Sequence, residues 1–178
     1  MLYVSLACRL TLVAVLALAA VAKLRSPRVF AASLAGFDVV PARLRGPLAV
    51  LVPAAELLVA LLLALPPTVT AGFVAATALC LGLTAVPVLV VARGKRVTCA
   101  CFGASEAPLG VRHIARNAVL LAAAVTGAAV ALPAGGGMPL GVPGIVLAVV
   151  SAGVLTALIV FVDDLASLFA SPSSAGGR

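Results

Sequence analysis

Residues 57–83, LLVALLLALPPTVTAGFVAATALCLGL, decide the fold, because two long apolar runs meet there at the tripeptide Pro66-Pro67-Thr68. Neither run alternates between apolar and polar residues as a half-buried strand does, so both runs indicate helices. Each run extends outward to about 20 residues, the length that a helix needs to cross the hydrocarbon of a bilayer. The short connection predicts a hairpin of two membrane-spanning helices.

The whole chain has the composition of a membrane protein. Of its 178 residues, 64% are hydrophobic and 10% are charged, none is Trp, and the mean hydropathy is +1.31. Soluble domains carry roughly 25% charged residues. The apolar runs predict five transmembrane helices, and only helices satisfy their own backbone hydrogen bonds in lipid; the runs cover residues 2–22, 47–65, 69–92, 114–132 and 144–162. We therefore predict an all-α integral membrane protein with one helical domain over residues 1–170 and a disordered tail over residues 171–178.

The first apolar run is open to two interpretations. It contains Arg9, and its end, LAAVAKL over residues 18–24, has the small-x-small pattern of a signal-peptidase site. No basic residue precedes Arg9, however, so an ordinary basic leader region is missing. We interpret the run as a retained helix and the following residues 29–40 as an amphipathic segment in the membrane interface.

The basic residues lie almost entirely on one side of the predicted bundle. Five crossings put the first and third connections and the C-terminus on one side, which we call the basic face. Of the 12 Lys and Arg residues, all but Arg9 belong to this face, namely Lys23, Arg25, Arg28, Arg43, Arg45, Arg93, Lys95, Arg96, Arg112, Arg116 and Arg178. For short connections the positive-inside rule places such a face in the cytoplasm.

Two cysteines, Cys99 and Cys101, stand in the third connection within RVTCACFG, residues 96–103. The neighbouring Lys95 and Arg96 favour a lowered thiol pKa and therefore reactivity. Cysteines at this spacing form a strained disulfide that is easily reduced, which suits exchange rather than permanent cross-linking. Two alternatives stay open, a metal site that adds His113 as third ligand and a pair of unreactive connection residues.

The other two cysteines fall inside apolar runs. Cys8 lies near the start of the first run and Cys80 lies midway along the third. Small apolar cysteines are ordinary packing residues in helices, so we expect neither to take part in chemistry with the connection pair.

Glu56 lies nearly halfway along the second apolar run, where an unpaired charge is costly. Two cations are candidate partners, Lys23 at the end of the first run and Arg116 one turn into the fourth. The pair would hold the bundle together, tune a nearby reactive site, or serve a proton or ion pathway. His113 and Asn117 stand four residues apart beside Arg116, which gives the fourth helix a polar entrance. His113 is either an interfacial residue or a ligand or base, and we include it among the supporting polar residues.

Several of these residues together carry a resemblance to a known family. A Lys ends the first run, AELL over residues 55–58 lies in the second, Cys-x-Cys-Phe-Gly follows a basic exit from the third, and Arg116-Asn117 opens the fourth. Over roughly residues 10–132 the chain resembles the methylamine utilisation protein MauE family, within the DoxX-like membrane proteins. The resemblance implies a four-helix DoxX-like core with one further helix at the C-terminus.

The resemblance also implies a function. It makes Cys99 and Cys101 the catalytic redox pair, with Lys23, Glu56, Arg116 and Asn117 as polar support, in a thiol-disulfide oxidoreductase of the cell membrane. Such a protein would form or shuffle disulfides in an exported client, such as the methylamine dehydrogenase light subunit, beside a thioredoxin-like protein.

Cofactors and other partners follow less directly from the sequence. A quinone stays open as electron partner, and we expect no resident metal, no nucleic acid partner, and contact with lipid and with a candidate membrane subunit. The helical plan is also similar to vitamin K epoxide reductases, although the first connection lacks their shuttle cysteines.

The proposed chemistry and the charge pattern favour opposite sides of the membrane. Disulfides of exported proteins form outside the cytoplasm, whereas the positive-inside rule puts the cysteine pair inside. The motif match to a family with exported clients is specific, and Arg-rich connections also bind anionic headgroups on either leaflet, so we expect the pair on the extracytoplasmic side.

A non-redox role is the alternative. The chain would then be a membrane scaffold, a chaperone or a small-solute carrier with incidental cysteines. Small residues in AAAVTGAAVA, residues 122–131, and SAGVLTA, residues 151–157, allow close packing against another membrane subunit.

Overall fold

The computed structural model describes residues 2–36, 40–94, 111–131 and 141–169, with the side chains of 111–112 and 162–169 left aside. Within these ranges the chain forms α-helices and no strand. The helices are α1 (Leu2–Arg25), α2 (Pro27–Gly36), α3 (Ala42–Ala64), α4 (Val69–Ala92), α5 (Val111–Ala131) and α6 (Val142–Phe169), with a 3-10 turn at Pro66–Thr68 between α3 and α4.

Five of the described helices, α1, α3, α4, α5 and α6, are long and apolar enough to span a membrane, which confirms the all-α, multi-pass fold class. Helix α4 has the predicted bounds. Helix α3 begins at Ala42 rather than at residue 47, so Arg43 and Arg45 lie in its first turn instead of in a connection. The predicted interfacial segment is occupied by the short helix α2, which ends at Gly36.

Helix α1 is the element on which the described bundle is assembled. It packs against α3 and α5, and α4 packs between α3 and α5, so these four helices close a ring. Helix α6 lies outside the ring, mainly against α1, and α2 lies against α3. The structure thus has the four-helix core with an added C-terminal helix that the resemblance implies.

The core of the ring consists of interlocking apolar side chains. Leu12 and Leu16 of α1 are buried against Leu63 of α3 and Phe73 of α4. Gly127 of α5 lies so close to Phe73 that a Cβ atom added to Gly127 would clash with the ring. One of the two small-residue stretches therefore serves packing inside this chain at Gly127.

The turn between α3 and α4 shows how the chain satisfies its backbone at the end opposite to the basic face. Pro66 has no N–H, so the carbonyl of Leu62 loses the donor that a continuing helix would supply. The hydroxyl Oγ1 of Thr68 donates to that carbonyl at 2.7 Å. The same tripeptide that interrupts the helix thus replaces one of the bonds that it removes.

Arg9 satisfies the next two carbonyls of α3. Pro67 cannot donate to the carbonyl of Leu63, and Nε of Arg9 donates to it instead. Nη2 of Arg9 donates to the carbonyl of Ala64 at 2.7 Å. A cation at a helix C-terminus is also favoured by the helix dipole. These bonds explain how a charged residue is accommodated within the first apolar run.

Helix α4 ends on the basic face at Arg93 and Gly94. Gly94 has a φ of 68°, a left-handed conformation that glycine adopts without steric cost, and its N–H donates to the carbonyl of Val91 at 2.9 Å. The sequence predictions for Cys99 and Cys101 and for the tail over residues 171–178 lie outside the described residues.

Candidate functional site

The structure brings together all five supporting residues that the sequence indicates, at the basic-face end of the helical ring. We call them the polar cluster: Lys23 of α1, Glu56 of α3, and His113, Arg116 and Asn117 of α5. The exposed fractions of Lys23, Glu56, His113 and Arg116 are 4%, 1%, 5% and 6%. These polar groups are therefore enclosed by the bundle rather than directed at lipid.

Lys23 is the direct partner of Glu56. Its Nζ atom donates to both carboxylate oxygens, at 2.6 Å to Oε1 and 2.8 Å to Oε2. Every helical Cα–Cβ bond is tilted towards the helix N-terminus. In α1 this direction leads from the membrane surface into the bundle, so the long side chain of Lys23 reaches inward to a carboxylate buried deeper in α3.

The ammonium group of Lys23 also faces the short helix α2. Its Nζ atom lies 5.6 Å from the centre of the Phe30 ring, within the range of a cation–π interaction. Lys23 thus connects α1 to both α3 and α2.

Arg116 contributes charge at the same place. It is buried and lies close enough to attract the carboxylate of Glu56 electrostatically. The sequence leaves Lys23 and Arg116 as equal candidates for the partner of Glu56. The structure assigns the hydrogen-bonded pair to Lys23 and a longer-range attraction to Arg116.

Asn117 fixes α5 to α4. Its Nδ2 atom donates to the carbonyl of Leu83 at 2.8 Å. In a regular helix that carbonyl would accept from the N–H of residue 87, but residue 87 is proline and has none. Asn117 therefore replaces the hydrogen bond that Pro87 removes, in a region where water cannot do so.

His113 lies deeper than the interfacial interpretation suggests. It is buried in the first turn of α5 and lines the same cavity as the ion pair. The sequence places it correctly at the mouth of a helix, but packing of α5 against α1 and α4 encloses that mouth.

The polar cluster lines a cavity of about 310 Å³, which we call the chamber. The remaining walls are apolar and come from all of α1 to α5, and include Leu16, Phe30, Val52, Val86 and Leu120. The sequence does not reveal the chamber, because its wall residues cannot be told from lipid-facing residues in helices that are apolar all round. The sequence features from which the α4–α5 hydrogen bond could have been predicted are Pro87, which lacks an N–H, and Asn117, which can donate in its place.

The chamber lies beside both attachments of the segment that carries the cysteine pair. That segment begins after Gly94, two turns beyond the chamber residues Val86 and Pro87 of α4. It ends at α5, whose first two turns supply His113 and Arg116 to the chamber. The connection is therefore attached at both ends to chamber-lining helices.

Within the described residues no group of three or more His, Cys, Asp or Glu side chains gathers to hold a metal ion. The metal alternative for Cys99, Cys101 and His113 depends on cysteines outside those residues. Among the described groups, the donors that could hold an organic ligand are the N–H groups of the polar cluster.

The model of one protein family, methylamine utilisation protein MauE, matches residues 1–132. The chain belongs to the MauE family. The match includes α1 to α5, the polar cluster and the positions of Cys99 and Cys101, and stops before α6. The comparisons with curated proteins and with solved structures found no match. In this MauE protein the described residues that line the chamber thus all lie within the family region.

The contact of Asn117 with the Leu83 carbonyl predicts a non-additive pair of substitutions. Asn117→Leu leaves that buried carbonyl without its donor and should lower the free energy of unfolding by about 1–3 kcal/mol. In a Pro87→Ala background the restored N–H at position 87 can bond to Leu83, so the same change should cost clearly less. A double-mutant cycle, measured by unfolding in detergent, gives the coupling energy. Equal losses in both backgrounds would contradict this role for Asn117.

The ion pair predicts a second pattern. Glu56→Gln leaves Lys23 buried without its counter-charge and should destabilise the bundle by about 3–5 kcal/mol. Adding Lys23→Met removes the stranded charge and should recover a large part of that loss. The measurement is again unfolding in detergent.

The same double variant separates the two interpretations of the pair. If Lys23 and Glu56 only hold the bundle together, Lys23→Met/Glu56→Gln keeps wild-type thiol reactivity at residues 99 and 101. If they tune the reactive site, reactivity falls although stability returns. If the double variant is as unstable as Glu56→Gln alone, the unpaired charge of Lys23 is not the cause of the lost stability.

Proposed function

We propose that this MauE protein is a membrane thiol–disulfide redox protein whose Cys99 and Cys101 exchange electrons with a thioredoxin-like or exported partner. The observation that carries the proposal is the attachment of the cysteine-bearing connection, at both ends, to helices that line the chamber and its buried ion pair. A scaffold with incidental cysteines has no evident need for five buried or half-buried polar side chains at that place.

The proposed reaction transfers two electrons by ordinary thiol–disulfide exchange. A client thiolate attacks the Cys99–Cys101 disulfide and forms a mixed disulfide, releasing one cysteine as thiolate. The second client thiolate attacks the mixed disulfide, so the client gains a disulfide and both cysteines end as thiols. Returning the pair to the disulfide requires a two-electron acceptor, which is either a thioredoxin-like disulfide or a quinone.

Nearby positive charge supports such chemistry. Helix α5 begins at Val111, and the positive end of its dipole lies on the side of the cysteine connection. The buried cations Arg116 and Lys23 lie close to that end against the single carboxylate of Glu56, so the net charge there is positive. Positive potential favours thiolate over thiol, and thiolate is the reactive form in exchange.

Cys8 and Cys80 are poor substitutes for the pair. Cys80 is buried in the core of the ring, and Cys8 is half-buried near the opposite end of α1. We therefore assign exchange to Cys99 and Cys101 alone.

We place the cysteine pair on the extracytoplasmic side of the cell membrane, where exported clients acquire disulfides. This placement makes the basic face an exception to the positive-inside rule. The family name points to methylamine utilisation, so an exported methylamine dehydrogenase subunit is the first client to test.

Labelling of intact cells with a membrane-impermeant maleimide tests both reactivity and side. We expect Cys99 and Cys101 to be labelled only after treatment with reductant, and Cys8 and Cys80 to stay unlabelled as internal controls. Mass spectrometry of the purified chain assigns the labels.

Two outcomes would contradict the proposal in different ways. Labelling of Cys99 and Cys101 that does not change with reductant would favour the scaffold. Reductant-dependent labelling that occurs only in inverted vesicles would keep the redox role but place the pair in the cytoplasm.

A further inference from the structure

We propose that the chamber is a binding site for a lipid-soluble quinone, which accepts the electrons of the cysteine pair. The electron-transfer part of this inference rests on the proposed function, whereas the binding part rests on the chamber alone. Three features of the described residues support quinone binding: the size and walls of the chamber, its opening, and the chemistry of the polar cluster.

The chamber has the composition of a site for a small apolar ligand. Its volume of about 310 Å³ falls at the lower end of the range for ligand pockets. Leu16, Phe30, Val52 and Leu120 give it apolar walls, and the polar cluster supplies its polar groups. A ligand with a flat apolar ring and oxygen atoms at its edge fits this combination, because the ring can contact the apolar walls and the oxygen atoms can accept from the polar cluster.

Two small, exposed residues on the chamber wall lie midway along α4. Ala78 and Gly82 line the chamber and are exposed, and a Cβ atom added to Gly82 would meet nothing within 4 Å. They stand 14 and 10 residues before Ala92, about 21 Å and 15 Å from that end of the helix. An opening at this depth faces the hydrocarbon of the bilayer, so a ligand that enters there must be soluble in lipid.

The polar cluster includes hydrogen-bond donors of the kind that carbonyl oxygens accept from. Lys23, His113 and Arg116 line the chamber, and a guanidinium carries five N–H groups, enough for more than one partner. Quinones combine lipid solubility with two carbonyl oxygens on a flat ring. They also accept two electrons, the number that closing a disulfide releases.

The redox step balances without a further reactant. Two S–H bonds, at Cys99 and Cys101, are broken and one S–S bond forms. The two electrons and two protons convert the two quinone carbonyls to hydroxyl groups.

The chain between Gly94 and Cys99 can be compared with the distance to the chamber. Cys99 stands five residues after Gly94, so a fully extended chain reaches up to about 17 Å from Gly94. This length exceeds the distance of about 12 Å along α4 from Gly94 back to the chamber residue Val86.

Binding can be measured without the thiol chemistry. The full-length Cys99→Ser/Cys101→Ser protein in lipid nanodiscs is titrated with decylubiquinone, and binding should saturate. Gly82→Leu, made in the same background, adds a bulky side chain at the opening of the chamber without removing a contact and should weaken binding at least tenfold. The matched control is Gly153→Leu on α6, where an added Cβ also meets nothing within 4 Å and which is not among the chamber residues; it should bind as the parent does.

Electron transfer is measured on the reduced protein with its cysteines intact. Decylubiquinone should be converted to its quinol with one disulfide formed per quinol, and Gly82→Leu should slow this conversion at least tenfold while Gly153→Leu does not. Absence of binding, or equal binding by the two Gly variants, would overturn the inference.

Different outcomes would contradict quinone binding and the proposed thiol–disulfide function. Exchange with a thioredoxin-like disulfide in a protein that binds no quinone would overturn the inference and keep the proposed function. Quinone bound in the chamber without quinol formation would overturn the electron-transfer step. Phospholipid that occupies the chamber and is not displaced by decylubiquinone would identify a lipid site instead, and would also overturn the inference.

Discussion

In the hydrocarbon of a bilayer a polar group has no water to bond to, so each one must find its partner within the protein. The buried pair of Lys23 and Glu56 follows from this constraint, and it joins α1 to α3 at the depth where the chamber lies. The same constraint accounts for Asn117 on the Leu83 carbonyl and for Arg9 at the end of α3. Two of these polar contacts thus join α1 to α3, and the third joins α5 to α4.

The fold class could be predicted from the sequence because the hydropathy of a whole apolar run is a strong indication of a membrane-spanning helix. It also narrows the partner of Glu56 to Lys23 or Arg116. Choosing between them requires the relative heights of α1, α3 and α5, which depend on packing of residues such as Leu12, Leu63 and Phe73. The chamber could not be predicted either, because it also depends on helix packing. In the sequence its wall residues, such as Leu16 and Val52, cannot be told from residues that face lipid. The start of α3 at Ala42 could not be predicted because Arg43 and Arg45 look like a connection.

The described bundle divides into a part that forms the site and a part that supports it. Apart from Val40, which lies between α2 and α3, the described chamber residues belong to helices α1 to α5, and the MauE family match ends just after α5 at residue 132. Helix α6 lies outside the ring, mainly against α1, and none of its described side chains lines the chamber. On this account electrons pass from a client through Cys99 and Cys101 to an acceptor held within α1 to α5, and α6 supports α1 from outside.

The central claim is that Cys99 and Cys101 close with each other during exchange, and reaction with the aryl disulfide DTNB tests it most directly. The reduced native protein should release two thionitrobenzoate ions per chain and retain none, because the second thiolate displaces the group bound to the first. Cys99→Ser and Cys101→Ser should each release one and retain one, as read from the mass of the intact chain. A wild-type chain that retains two groups would contradict the claim.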